Sequence, residues 1–213
     1  APHAAAFGRL VRYELADSHP LAALPASRTV LLGATWQDGL PIGHCLTHGG
    51  DDLAFGADGS LLVSCGDGAA AAELDGGGLD PALFAAGATP VAQDIGAFRA
   101  QDLASPAGKV LRIDPATGAG YRSNPFYDGN PRSVRSRVWA YGLRHPLRCT
   151  IRPGTGSTDP NAGTPGVLVI ADIGASAWEE LDIAATGGEN FGWPCAEGRD
   201  ARAPRLPGMP ALP

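Results

Sequence analysis

His48 and Asp67 flank a stretch, GGDDLAFGADGSLLVSCG, in which two apolar runs are joined by Ala57-Asp58-Gly59-Ser60. LAFG and LLVSC have the composition of strands and the residues between them that of a tight turn, so the stretch predicts a β-hairpin. The residue entering the first strand and the residue leaving the second emerge at the same end of a hairpin, which places His48 beside Asp67. A histidine oriented by a carboxylate is a base suited to work near neutral pH. Gly49, Gly50 and Gly66 around the pair would admit a ligand close to the backbone. A structural or surface role is the alternative for His48. His44 shares the glycine context farther from the hairpin mouth and is the second candidate, whereas His3 and His19 have no supporting context.

Two further groups carry chemistry. Arg132, Arg135, Arg137, Arg144, Arg148 and Arg152 fall in one stretch free of acids. Arg148 and Arg152 fit solvent-facing positions of a strand. Arg144 lies in YGLRHP, where a strand ends and a proline forces a turn, and its planar fork could clamp a carboxylate or phosphate there. Asp172, Glu179 and Glu180 cluster about Gly174, and hard oxygen ligands with exposed carbonyls in a Gly-rich loop suit calcium; a solvated acidic edge is the alternative.

The elements that position these residues are short. FGRLVRY at 7–13, RTVLL at 28–32, KVLRID at 109–114, RVWAYGL at 137–143, RCTIR at 148–152 and VLVIAD at 167–172 all predict strands. WEELDIA at 178–184 fits a strand or a helical turn, and no long helix is expected. With 30 Gly, 19 Pro and 18% charged residues in 213, the composition fits many strands joined by turns. A β-sandwich would satisfy this pattern. Strand sets echoing every ~40–50 residues, ending in Gly66-Asp67, Ile113-Asp114 and Ala171-Asp172, favour propeller blades. The segment from 68 to 107 has low complexity and the length of a lid or rim.

A net charge of −6 argues against a nucleic-acid or anionic-membrane surface, and no apolar run approaches the ~20 residues of a transmembrane helix. No signal peptide is visible at the start, although a mature or truncated start would look the same. Cys65 and Cys149 alternate with apolar residues as small core side chains; Cys45 and Cys195 lie in loop-like contexts and could pair.

In order along the chain, the series H-x-G-x-x-L-A-F-G-x-D-G-x-L-x-V-S-x-G-D, G-K-V-L-R-I-D, N-P-F, V-W-A-Y-G-L-R-x-P, D-x-G-x-x-x-W-E-E and G-G-x-N-F-G-W-P resembles the glucose/sorbosone dehydrogenase family. Its members are soluble aldose sugar dehydrogenases that use pyrroloquinoline quinone (PQQ). The resemblance covers roughly residues 7–198. It implies an all-β, six-bladed propeller carrying PQQ and calcium. The length implies an incomplete ring, with about three to four blades in a domain at 1–198 and a Pro-rich, unstructured tail at 199–213. The activity implied is oxidation of an aldose at its anomeric carbon to a lactone, with electrons passing to an external acceptor in the periplasm or outside the cell.

By position, His48 takes the role of general base and Asp67 of its orienting partner. Arg144 holds the cofactor, and His145 follows it where the family usually has an asparagine whose amide contacts PQQ. Backbone carbonyls of Gly174 and Ala175 match ligands of the cofactor's calcium, and Glu180 with the carbonyl of Phe191 a second calcium site. The alternative function is a non-catalytic binding module resembling the propeller of Hedgehog-interacting protein, or an inactive fragment.

Overall fold

The computed structural model describes residues 7–41, 47–71, 74–78 and 91–201. His3, His44, Cys45 and the tail beyond Ala201 lie outside the described residues. Among the described residues, no helix is long and apolar enough to cross a membrane.

The organising sheet is four-stranded and antiparallel. Its strands are β5 (Gly50–Phe55), β6 (Leu61–Cys65), β7 (Lys109–Ile113) and β8 (Val138–Tyr141), in that spatial order. The predicted turn closes β5 on β6. Asp58 accepts the amide of Ser60 through Oδ1 at 2.9 Å, and Gly59 adopts φ 76°, in the left-handed region where a side chain would be strained.

All five residues of β6 are buried because both faces of the sheet are covered. On one face Leu61, Val63 and Cys65 pack with Leu111, Ile113 and Val138 against Leu31 and Leu32. The second pair comes from β3 (Thr29–Leu32), itself paired with β2 (Leu10–Arg12). On the other face Leu62, Val110, Trp139 and Ala140 meet Leu168, Ile170 and Ala184. These belong to a second antiparallel sheet of β9 (Pro146–Ile151), β10 (Leu168–Asp172) and β11 (Glu180–Ala184). Face-to-face stacking of small antiparallel sheets is the packing of propeller blades. The described chain holds one four-stranded blade and one three-stranded blade with the β2–β3 ribbon behind them. The far face of the second blade is open: Leu181 is 71% and Ile183 57% exposed, opposite Ala171 and Val169.

Short ribbons complete the architecture. β1 (Phe7–Gly8) pairs with β4 (Leu40–Pro41), and β12 (Ala196–Glu197) with β13 (Asp200–Ala201). WEELDIA resolves as β11. RVWAYGL starts later than its apolar run suggests, because Ser133 caps a single helical turn, α1 (Val134–Arg137), by accepting the amide of Ser136 at 3.1 Å. Arg137 is therefore buried, within 3.5 Å of Asp38, while Arg148 and Arg152 are exposed as expected. The described part of the 68–107 segment contains two 3₁₀ turns, Val91–Gln93 and Gly96–Gln101. Cys65 and Cys149 sit in the two cores, and burial pushes the Cys149 thiol up to about 11.

Two buried cations tie the first blade together. The Arg112 guanidinium meets Asp58 at 2.5 Å with neither side chain exposed, and also donates to Ser60, Ser123, Asn124 and the Pro160 carbonyl. Burial pushes Asp58 up, but Ser60 and Arg112 outweigh it and hold the carboxyl below its ordinary value. Lys109, the one lysine of the chain, is fully buried and donates to the carbonyls of Arg99, Ala100 and Ala107 at 2.7–2.9 Å. Burial pulls its ammonium down to about 7, while three acceptors match the three N–H groups of the charged form. Amine-directed acylation of the native protein is expected to leave Lys109 unmodified, with one additional adduct by mass spectrometry after denaturation. Equal labelling before and after would contradict the burial.

Candidate functional site

His48 reaches Asp67 because the backbone on either side is pressed together. Gly66 donates to the Gly49 carbonyl at 2.7 Å and Gly68 to the His48 carbonyl at 3.1 Å. A Cβ on Gly66 would collide with the His48 carbonyl, so only glycine permits this approach. His48 itself has φ 49°, a left-handed conformation that costs a non-glycine residue roughly 1–2 kcal/mol.

The result is the predicted pair. His48 Nδ1 lies 2.8 Å from Asp67 Oδ1, with the histidine 7% and the aspartate 1% exposed. The same Oδ1 accepts the amide of Ala69 at 2.9 Å, and Oδ2 accepts the indole N–H of Trp193 at 2.8 Å. Asp67 is thus an acceptor throughout, and it takes the Nδ1–H of His48. That tautomer leaves the Nε2 lone pair open, and Nε2 makes no hydrogen bond among the described residues.

Arg144 and His145 join from the turn between β8 and β9. Asp172, ending β10, accepts both of their amides, at 2.9 Å through Oδ2 and 2.6 Å through Oδ1. A register shift between Ala171 and Asp172 brings that carboxylate opposite Pro146. Burial pushes the Asp172 carboxyl well up, against the opposing effect of the two N–H bonds. Asp172 therefore fastens the turn instead of offering itself as an exposed calcium ligand, which corrects that expectation.

The Arg144 guanidinium, 5% exposed, donates to the carbonyls of Ile173, Gly174 and Ala71 and lies 5.5 Å from the Trp193 ring. Among the described residues no carboxylate stands within ion-pair distance of it. His145 faces His48 with ring centroids 4.7 Å apart, and its Nε2 is 3.0 Å from Asp51 Oδ1. Asp51 and Asp52 are both engaged, Asp52 by the Cys149 amide at 2.9 Å and by Arg148 at 3.7 Å.

The residues expected to hold calcium have the following partners. The Gly174 carbonyl accepts Arg144 Nη1 at 2.8 Å. The amides of Ala175, Ser176, Ala177 and Trp178 converge on Glu197 Oε1. Burial pushes Glu197 up, but those amides hold its carboxyl below its ordinary value. Glu180 accepts the amide of Gly198 at 2.9 Å, and the Phe191 amide donates to Tyr141. Among the described residues no three His, Cys, Asp or Glu side chains gather as metal ligands.

Sequence reasoning missed three contributors. Arg99 lies in the low-complexity segment, yet it donates to the Asp67 and Gly68 carbonyls at 3.0–3.3 Å. Trp193 was visible only as part of a motif. The Asp51–His145 contact joins strand to turn across 94 positions and leaves no local pattern.

Stacked antiparallel blades define a partial β-propeller, with a carboxylate-oriented histidine and, among the described residues, a carboxylate-free arginine at one end. Residues 36–207 match the Glucose / Sorbosone dehydrogenase family, and the chain belongs to it. Among curated proteins it is similar to the HIPL1 protein of Arabidopsis thaliana, 30% identical over 177 residues, covering 76% of this chain and 20% of that protein. The HIPL2 protein of the same plant is 32% identical over 184 residues, covering 79% and 21%. Among solved structures, the PQQ-bound form of an aldose sugar dehydrogenase from Streptomyces coelicolor aligns at 25% identity and TM-score 0.50, over 89% of this chain and 41% of that one. An oxidoreductase described as a glucose dehydrogenase, from Thermus thermophilus, aligns at 27% identity and TM-score 0.58, over 90% and 45%. The chain thus spans about a fifth of the curated relatives and under half of these dehydrogenases.

Proposed function

We propose that this chain carries the base-bearing part of a PQQ-dependent aldose dehydrogenase, which oxidises a sugar at its anomeric carbon to a lactone. The observation that carries the reading is the His48–Asp67 pair, with Nδ1 tied to a buried carboxylate and Nε2 open. His48 Nε2 takes the proton of the anomeric hydroxyl, and Asp67 stabilises the imidazolium that results. PQQ, when bound, supplies the acceptor for the hydride leaving the anomeric carbon, and an external acceptor then removes the electrons.

PQQ carries carboxylates, and Arg144 fits them, since among the described residues its buried charge meets carbonyl dipoles and the Trp193 ring but no carboxylate. His145 stands next to it. Calcium does not fit the Gly174 carbonyl as it is folded. An ion on the Gly174 carbonyl would share that oxygen with the Arg144 guanidinium, a like charge. A periplasmic or extracellular location belongs to the same reading.

The test is reconstitution with PQQ, with and without calcium, followed by dye reduction with several aldoses and by cofactor absorbance. Aldose-dependent reduction with a perturbed PQQ spectrum is expected. No reduction and an unchanged spectrum, from this chain and from a version extended to the length of the dehydrogenase relatives, would sink the enzyme reading. The second reading is a non-catalytic binding module, to which the similarity to the HIPL1 and HIPL2 proteins points; the same negative result would favour it.

A further inference from the structure

The site contains two histidine–aspartate pairs, and the dehydrogenase reading uses one. His145 Nε2 is 3.0 Å from Asp51 Oδ1, and the two side chains are 20% and 7% exposed. The other oxygen of Asp51 is buried with no hydrogen-bond partner among the described residues, which leaves His145 as the side chain this carboxylate meets there. His145 is also fixed at its backbone by Asp172, which limits its freedom to swing away. Its ring faces that of His48 at 4.7 Å between centroids, tilted by 33°.

The tautomers implied are complementary. His48 gives its Nδ1–H to Asp67 and keeps the lone pair on Nε2. His145 gives its Nε2–H to Asp51 and keeps the lone pair on Nδ1, which makes no hydrogen bond among the described residues. Each ring therefore has one anchored nitrogen and one open nitrogen, and the two rings are neighbours. The more exposed of the two side chains is His145, at 20% against 6% for His48. Other charges around the two rings are Arg144 on the same turn, Asp52 on β5 and Asp172 on β10. Arg99 approaches from the 3₁₀ turn through the Asp67 carbonyl.

We propose that His145, held by Asp51, is a proton relay and positioning residue for His48. The proton taken up at His48 Nε2 passes to His145 Nδ1, directly or through one water, and leaves to solvent from there. The transfer returns His48 to its neutral, Asp67-anchored tautomer for the next turnover, and no electrons move in it.

The relay rests on the dehydrogenase reading, and two measurements separate them. Nitrogen-15 NMR of the histidine rings, on the full chain without cofactor, is expected to show Nδ1–H at His48 and Nε2–H at His145. An Nδ1–H tautomer at His145 overturns the relay whatever the activity assay gives. In the reconstituted enzyme, His145→Ala is expected to lower kcat about tenfold or more with KM for the aldose unchanged, and imidazole is expected to restore it. His145→Asn supplies the amide that usually contacts PQQ in the family but no basic nitrogen, so it is expected to keep cofactor absorbance and stay slow. An undiminished kcat in either variant overturns the relay. A wild-type chain and its extended version both inert with PQQ sink the dehydrogenase reading, while the ring tautomers still decide whether each histidine keeps the open nitrogen that the relay needs.

Discussion

Replacement of His48 by glutamine is expected to abolish aldose-dependent turnover while PQQ stays bound. Glutamine can place an amide N–H near Asp67 Oδ1, where His48 Nδ1 now sits at 2.8 Å, so the buried carboxylate keeps a donor. The Ala69 amide and the Trp193 indole also hold that carboxylate in place. An amide has no nitrogen lone pair basic enough to take a hydroxyl proton near neutral pH. Positioned general bases contribute about 10²–10⁴-fold, and a loss of that order in kcat is expected. Steady-state dye reduction measures it, and cofactor absorbance with thermal melting checks that fold and binding survive. Turnover persisting within a few-fold of wild type would mean that His48 is not the base.

Asp58→Ala is expected to be the most damaging substitution away from the site. Among the described residues Asp58 is the one carboxylate paired with the Arg112 guanidinium, and both side chains are fully buried. Removing one partner of a buried pair typically costs about 3–5 kcal/mol, because the remaining charge has no counter-ion. In a chain of this size that corresponds to a fall in Tm of roughly 6–20 °C. Ser60, Ser123, Asn124 and the Pro160 carbonyl still accept from Arg112, which favours the lower part of the range. The double variant Asp58→Ala, Arg112→Met removes the orphaned charge and is expected to melt above the single variant. A single variant with an unchanged melting curve would refute the assignment.

The strands were legible because their signals are local. LLVSC, KVLRID and VLVIAD are apolar runs bounded by turn residues; the first became a strand of that length and the other two became strands one residue shorter. The His48–Asp67 pair was legible for the same reason, since a hairpin turns a sequence interval into a shared end. What stayed hidden depends on packing between blades. Nothing about Asp172 marks it as a carboxylate that fastens the Arg144-His145 turn, and its neighbours Glu179 and Glu180 suggested a cation instead. Arg137 resembled its solvated neighbours until one helical turn rotated it inward. The bond from the Arg144 side chain to the Gly174 carbonyl was hidden too, since no sequence interval fixes the direction of that side chain.

The hydrogen bond from Trp193 to Asp67 also sets a timetable. His48 and Asp67 are 19 residues apart and can meet as soon as the hairpin forms, whereas the Trp193 contact closes a separation of 126. Long-range contacts form late, and a chain emerging from the ribosome folds from its N-terminal side. The base and its carboxylate are then made early and left unfinished. Trp193 follows both blades in the chain, so the Asp67 carboxylate gains this donor only once the two have stacked.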